Sequence, residues 1–221
     1  QGHKITGFNF SATHNYYGLY GVILGTALVE HFTIEGNITI NSIIGYAAGA
    51  EAYTNNTPTV RNVHSKVNIS SSSTASTPRI GGVVGGCPAQ SSTTTIDRCT
   101  YSGTLNANEK GGNYGGIVGY MLNNNTTKVN ITNCLFDGKL QGSVNDNKAQ
   151  LGGIIGYTRK GIVSVKNCLS VGTFEYKSGN AMNIGQFVGR ITYDNGNTGL
   201  TFENNYISRS EERRVGKECR S

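Results

Sequence analysis

Three cysteines recur at nearly constant spacing: Cys99, Cys134 and Cys168 stand 35 and then 34 residues apart. Each lies in the same frame, read as Ile96-x-x-Cys99-x-x-x-Gly103-x-Leu105, Ile131-x-x-Cys134-x-x-x-Gly138-x-Leu140 and Val165-x-x-Cys168-x-x-x-Gly172-x-Phe174. Thiols brought together this way could oxidise as one pair, hold a metal ion, or pack as an inert ladder. The metal reading lacks a Cys-x-x-Cys spacing and a neighbouring histidine. Phe32 and Val63 fill the same slot in earlier copies of the frame, which favours a structural thiol ladder, with one disulfide as the alternative. Cys87, beside Pro88 in an expected turn, reads as the odd reactive thiol.

Other catalytic chemistry finds little to work with. His3, His14, His31 and His64 all fall in the first third, and none stands in a His-Glu-x-x-His zinc pattern or beside a Gly-x-Ser-x-Gly elbow. The stretch from Gly156 to Gly161 has phosphate-loop spacing, but Ile162 and Val163 follow where Lys-Ser or Lys-Thr is required. Asp97, Thr132, Lys166 and Glu203 share one register of the repeat and mix charges as a solvated face does. A polysaccharide-cleaving site on a β-helix would instead cluster acids and bases on one face. The chain therefore reads as non-enzymatic, with no metal and no other cofactor implied.

The frame belongs to a repeat whose strongest signal is glycine. Gly115-Gly116-Ile117-Val118-Gly119-Tyr120 returns as Gly152-Gly153-Ile154-Ile155-Gly156-Tyr157 and as Gly81-Gly82-Val83-Val84-Gly85-Gly86. Weaker copies place the last glycine at 25, 45 and 189 as well. Within the cysteine frame, Cys134, Phe136, Gly138 and Leu140 take one parity while Leu135, Asp137 and Lys139 take the other, the mark of a half-buried strand. Helix formers are sparse against Gly, Thr, Asn and β-branched residues. The glycine block is read as a second short strand whose missing Cβ atoms let neighbouring backbones close in. A unit of this size with two or three strands cannot bury its apolar face alone and must stack on copies of itself. The expected fold is all-β, a parallel β-helix-like solenoid of about six coils, with a β-prism or propeller as alternatives. Residues 1–41 are taken as a degenerate first repeat and 42–208 as the repeat array.

The last thirteen residues, 209–221, break this pattern with a dense run of charge and resemble a translated sequencing adapter, so they are set aside from the fold. Of the formal net charge of +6, this leaves 14 basic against 10 acidic residues, a net of +4. The remaining basic residues are scattered singly, apart from Arg159-Lys160, with no stripe suited to nucleic acid. The longest nearly apolar run, residues 20 to 29, falls short of the roughly 20 residues a membrane helix needs. The start at Gln1, with no apolar leader, reads as a mature or fragmentary end.

The glycine block followed by a polar turn and Ile131-Thr132-Asn133-Cys134-Leu135-Phe136-Asp137-Gly138-Lys139-Leu140 resembles the GLUG-motif repeat, over about residues 42 to 208. The pattern departs at Gly86 and Arg190, where the closing tyrosine is missing, and at Asn205, where cysteine is missing. The resemblance implies a secreted or cell-surface, adhesin-like protein, and it carries no catalytic residues. Tyr46, Tyr120 and Tyr157 close the block in three copies and are expected to form an exposed aromatic ladder for a cell-surface glycan or protein. The alternatives are that these rings merely cover the solenoid, that the whole array is a passive stalk, or that it is a polysaccharide-active β-helix enzyme. Asn9, Asn37, Asn55, Asn68, Asn124, Asn125 and Asn130 each open an Asn-x-Ser/Thr sequon, several in expected turns, and are candidate glycosylation sites.

Overall fold

The computed structural model describes residues 2–12, 15–41, 45–71, 78–88, 93–107, 111–122, 127–142, 149–176, 183–192 and 199–207. These residues contain no helix, and their strands form one 14-stranded and two 6-stranded parallel sheets. Each pass of the chain visits the three sheets in turn. Thr59–Ser71 lies in the large sheet, Arg79–Gly81 in the second and Val84–Pro88 in the third. The next pass repeats the order with Thr93–Asp97, Thr100–Tyr101 and Thr104–Ala107, then Gly112–Gly115, then Val118–Leu122. The chain is thus the β-solenoid its repeats imply, with successive passes hydrogen-bonded to one another.

The repeat register of the sequence is the register of the sheet. Val60, Ile96, Ile131 and Val165 stand in one column, and Ile69, Leu105, Leu140 and Phe174 in another. The earliest copy follows, with Val29 on Val60, Phe32 on Val63 and Ile38 on Ile69. Alternation holds as expected: Cys134, Phe136 and Leu140 are buried while Leu135, Asp137 and Lys139 are not. Inward Ile131 and inward Cys134 are separated by two residues, so the parity must shift between them. Asn133 makes that shift with φ of 55°, and Asn62, Arg98, Asn167 and Asn204 do the same in their own passes at 50° to 53°. Asparagine tolerates the left-handed region better than most residues, which explains its recurrence before the cysteine slot.

The glycine block is a corner with a strand on either side, rather than the single strand expected. The second-sheet strand ends at Gly115, the chain bends at Gly116 and Ile117, and the third-sheet strand begins at Val118. A Cβ on Gly115 would overlap the Val118 carbonyl across the bend. One on Gly116 would overlap the Gly153 carbonyl of the next pass and the Phe136 ring beneath it. One on Gly119 would press on the Ile80 backbone of the facing sheet. Gly82 faces Tyr101 as Gly116 faces Phe136, and the two rings stack at 6.3 Å and 11°. None of these block glycines has a positive φ, so the requirement is close approach.

Candidate functional site

The two small sheets bring tyrosines and arginines from successive passes onto one face. Tyr46 sits in the second sheet, in register with Tyr16 and Arg79. Tyr120 and Tyr157 sit in the third, in a row that reads Tyr53, Gly86, Tyr120, Tyr157, Arg190. Tyr46 therefore does not share the slot of the other two, as the block alignment had suggested. The rings nevertheless converge. Tyr46 lies 5.9 Å from Tyr16, 5.0 Å from Tyr53 and 6.4 Å from Tyr120, and Tyr120 lies 5.4 Å from Tyr157.

Convergence alters the expected exposure. Tyr46 and Tyr120 are only 5% and 6% exposed, so the open aromatic ladder reduces to Tyr16 at one end and half-buried Tyr53 and Tyr157. The cause is Arg79, which inserts between the two buried rings. Its guanidinium carbon lies 4.8 Å from the Tyr46 centroid and 4.4 Å from that of Tyr120, and Nη1 donates to the Tyr46 hydroxyl at 2.9 Å. Exposed Arg190, in the slot of a missing tyrosine, lies 5.6 Å from the Tyr157 centroid. The Tyr157 hydroxyl bonds Thr192 Oγ1 at 3.1 Å. Exposed Arg159 pairs with Thr192 and lies two residues along from Tyr157, on the same side of its strand.

Burial pushes the Tyr46 phenol up to about 12 against the pull of Arg79. Burial likewise raises Tyr120, with Arg79 and Arg159 opposing, and Tyr53, with Arg79 opposing. Tyr46, Tyr53 and Tyr120 thus stay neutral. Arg79, Arg159 and Arg190 were three scattered residues in the sequence. Only the departure at Arg190 from the tyrosine slot hinted at their grouping.

The cysteine ladder is interior. Cys99, Cys134 and Cys168 are buried and free, and each thiol donates to two carbonyls, one two residues back and one on the preceding pass. The cross-pass distances are 3.5 Å to Val60, 3.8 Å to Ile96 and 3.7 Å to Ile131. Asn205 takes the slot in the following pass and does the thiol's work with its amide, donating to the Val165 carbonyl at 2.8 Å. Burial pushes the Cys134 thiol well above its usual range. Cys87 corrects the expectation of a reactive thiol in a turn. It lies in a third-sheet strand, fully buried, and burial pushes it up to about 12. Among the described residues no group of three or more His, Cys, Asp or Glu could hold a metal.

Charges on the large sheet are paired, most of them across passes. Asp97, Thr132, Lys166 and Glu203 do share one register, and they engage one another: Thr132 donates to Asp97 at 2.7 Å, and Lys166 meets Glu203 at 2.6 Å. Glu35 holds Lys4 at 3.0 Å and Lys66 at 3.5 Å, Lys139 meets Glu175, Arg98 meets Asp97, and Arg61 meets Glu30. The sequons Asn9, Asn37 and Asn68 stack in this sheet rather than in turns. Asn37 Nδ2 donates to Asn9 at 2.9 Å, and Asn68 Nδ2 donates to Asn37 at 3.2 Å. Asn130 is half-buried on a strand, and Asn55 accepts the Asn56 N–H at 2.8 Å. Asn124 and Asn125 lie outside the described residues, as do 209–221.

One carboxyl is interior. Glu51 pairs with Val84 and is fully buried, and neither of its oxygens has a hydrogen-bond partner among the described residues. Burial raises it well above the usual carboxylate range, and the nearby Cys99 adds to the shift. No helix among the described residues is long and apolar enough to cross a membrane. No protein-family model, curated protein or solved structure matches the chain.

Proposed function

We propose that the chain is a non-catalytic binding module of a secreted or cell-surface repeat protein. The observation that carries the reading is the tyrosine and arginine face of the two small sheets, where Tyr16, Tyr53 and Tyr157 keep ring surface open beside Arg159 and Arg190. Aromatic rings with hydroxyl tips suit a partner that is apolar on one side and wet on the other, as a sugar ring is. The rigid ladder beneath holds these side chains at fixed spacing, so binding does not have to order them first. The GLUG resemblance and the sequons support an exterior location.

A passive stalk is the second reading, favoured by the hydrogen-bonded continuity of the large sheet through every pass. Immobilised polysaccharides and cell-surface protein extracts, probed with the parent chain and with Tyr157→Ala, separate the two. Binding by the parent that falls in the variant, with unchanged thermal stability, is the adhesion result. No binding by the parent to either set leaves the stalk.

A further inference from the structure

The outer face of the large sheet carries an uncharged patch between its ion pairs. Asn9, Asn37 and Asn68 stand in one column, which Thr104 continues by donating its N–H to Asn68 Oδ1 at 3.0 Å. Ser11, Thr39, Ser70 and Asn106 form the neighbouring column, two residues along each strand. The first three members of both columns are exposed, while Ile38, Ile69 and Leu105, between the columns on the same strands, are buried. Each of these eight side chains is small, uncharged and able both to donate and to accept a hydrogen bond. Charge begins at the margins and is paired there, Lys66 with Glu35 and Lys139 with Glu175.

Two features make this patch a lattice. Parallel strands repeat about every 4.8 Å across a sheet, and next-but-one residues about every 6.6 Å along a strand, so the groups recur on two fixed spacings. The side chains are also tied to one another. Asn37 Nδ2 donates to Asn9 Oδ1 at 2.9 Å, Asn68 Nδ2 to Asn37 Oδ1 at 3.2 Å, and Asn41 Nδ2 to Ser11 Oγ at 2.6 Å. Side-chain ladders of this kind hold a sheet flat against its natural twist, and groups already ordered lose little freedom on binding.

We infer that this array adsorbs to ice, its ligand being the ordered water of a crystal face. Prism faces of ice repeat their oxygens along two perpendicular directions at spacings of this order, so several hydroxyl and amide groups meet lattice water at once. Each such contact is a direct or water-bridged hydrogen bond of ordinary strength, and only a periodic partner collects them all. A crystalline polysaccharide is also periodic, but sugar rings are met by aromatic side chains and none of the eight has a ring. The inference does not depend on the binding reading, whose tyrosines and arginines lie on the other two sheets.

The test cools the full chain in a droplet holding a single ice crystal and records the gap between melting and growth temperatures, with crystal shape. The parent should open a gap and facet the crystal. Thr39→Lys, which sets a long charged side chain between Ser11 and Ser70, should abolish both at unchanged thermal stability, and Thr39→Ser should keep them. Tyr157→Ala, outside the array, should match the parent, which separates this surface from the tyrosine face. A parent that leaves ice growth unaltered overturns the inference, as does a Thr39→Lys variant as active as the parent. Adsorption to crystalline cellulose or chitin with no effect on ice overturns it in favour of a polysaccharide lattice.

Discussion

The Tyr46 ring fills the space that a side chain at Gly86 would need: a Cβ built on Gly86 overlaps two atoms of that ring. Gly86 stands in the row of Tyr53 and Tyr120, so one missing tyrosine in the repeat lets a tyrosine of the facing sheet, and Arg79 with it, move in. Gly86→Ala should therefore displace Tyr46 and lower stability by about 1–3 kcal/mol, the cost of overpacking. Thermal denaturation checks this, and a variant as stable as the parent would show that the ring has room to retreat.

The left-handed residue of each pass gives a second expectation. Asn133, with φ of 55° and its side-chain amide on Asp97 at 2.8 Å, should not tolerate alanine: Asn133→Ala is expected to cost about 1–2 kcal/mol. Arg98 holds the same conformation without asparagine's tolerance of it, so Arg98→Asn should be neutral or slightly stabilising. Urea denaturation of the pair reads both signs.

The thiols should be silent in the folded state. Cys87, Cys99, Cys134 and Cys168 are all buried and free, and burial keeps Cys87 and Cys134 protonated near neutral pH. Alkylation at pH 8 followed by peptide mass spectrometry should leave all four unmodified until denaturant is added. Cys134→Val should cost no more than about 1–2 kcal/mol, because Val63 already fills that slot, and no reductant should shift the melting temperature. Rapid labelling of any of the four in native buffer would contradict the buried ladder.

Glu51 sets a pH dependence. Burial raises its folded-state pKa above the usual 4.5, so the folded chain binds this proton more tightly than the unfolded chain does. The stabilisation is complete below about pH 4.5 and is lost as pH rises from there through the folded-state value. Glu51→Gln should remove that slope. Glu51→Val, which matches Val84 and Val118 in the same row, should stabilise at neutral pH by about 1–3 kcal/mol. Melting curves across pH 4 to 8 compare the three chains, and a parent slope that survives in Glu51→Gln would place the titrating group elsewhere.

Much of the scaffold was legible because a repeat protein states its register many times. Val60, Ile96, Ile131 and Val165 align in sequence and stack in space, and the Cys99, Cys134 and Cys168 column follows from the same count. The corner inside the glycine block was not legible, since close backbone approach favours glycine equally in a strand and in a bend. The parity shift at Asn133 left a trace in the recurrent asparagine, yet only the observed φ explains it. The candidate site was read in part. Tyr120 and Tyr157 do neighbour each other, but Tyr46 reaches them from another sheet, and Arg79 joins through a space defined by the absence of a side chain at Gly86. Sequence spacing records neighbours along a column well and contacts between facing sheets poorly.

The most direct measurement is hydrogen exchange of the full chain with and without the cell-surface polysaccharides of the binding panel, resolved to peptides. Added protection should fall on Ile155–Arg159 and Val188–Thr192, the strands that carry Tyr157, Arg159 and Arg190. Protection confined to Lys128–Thr132 and Lys139–Gly142 of the large sheet, or none with any probe, would contradict the account.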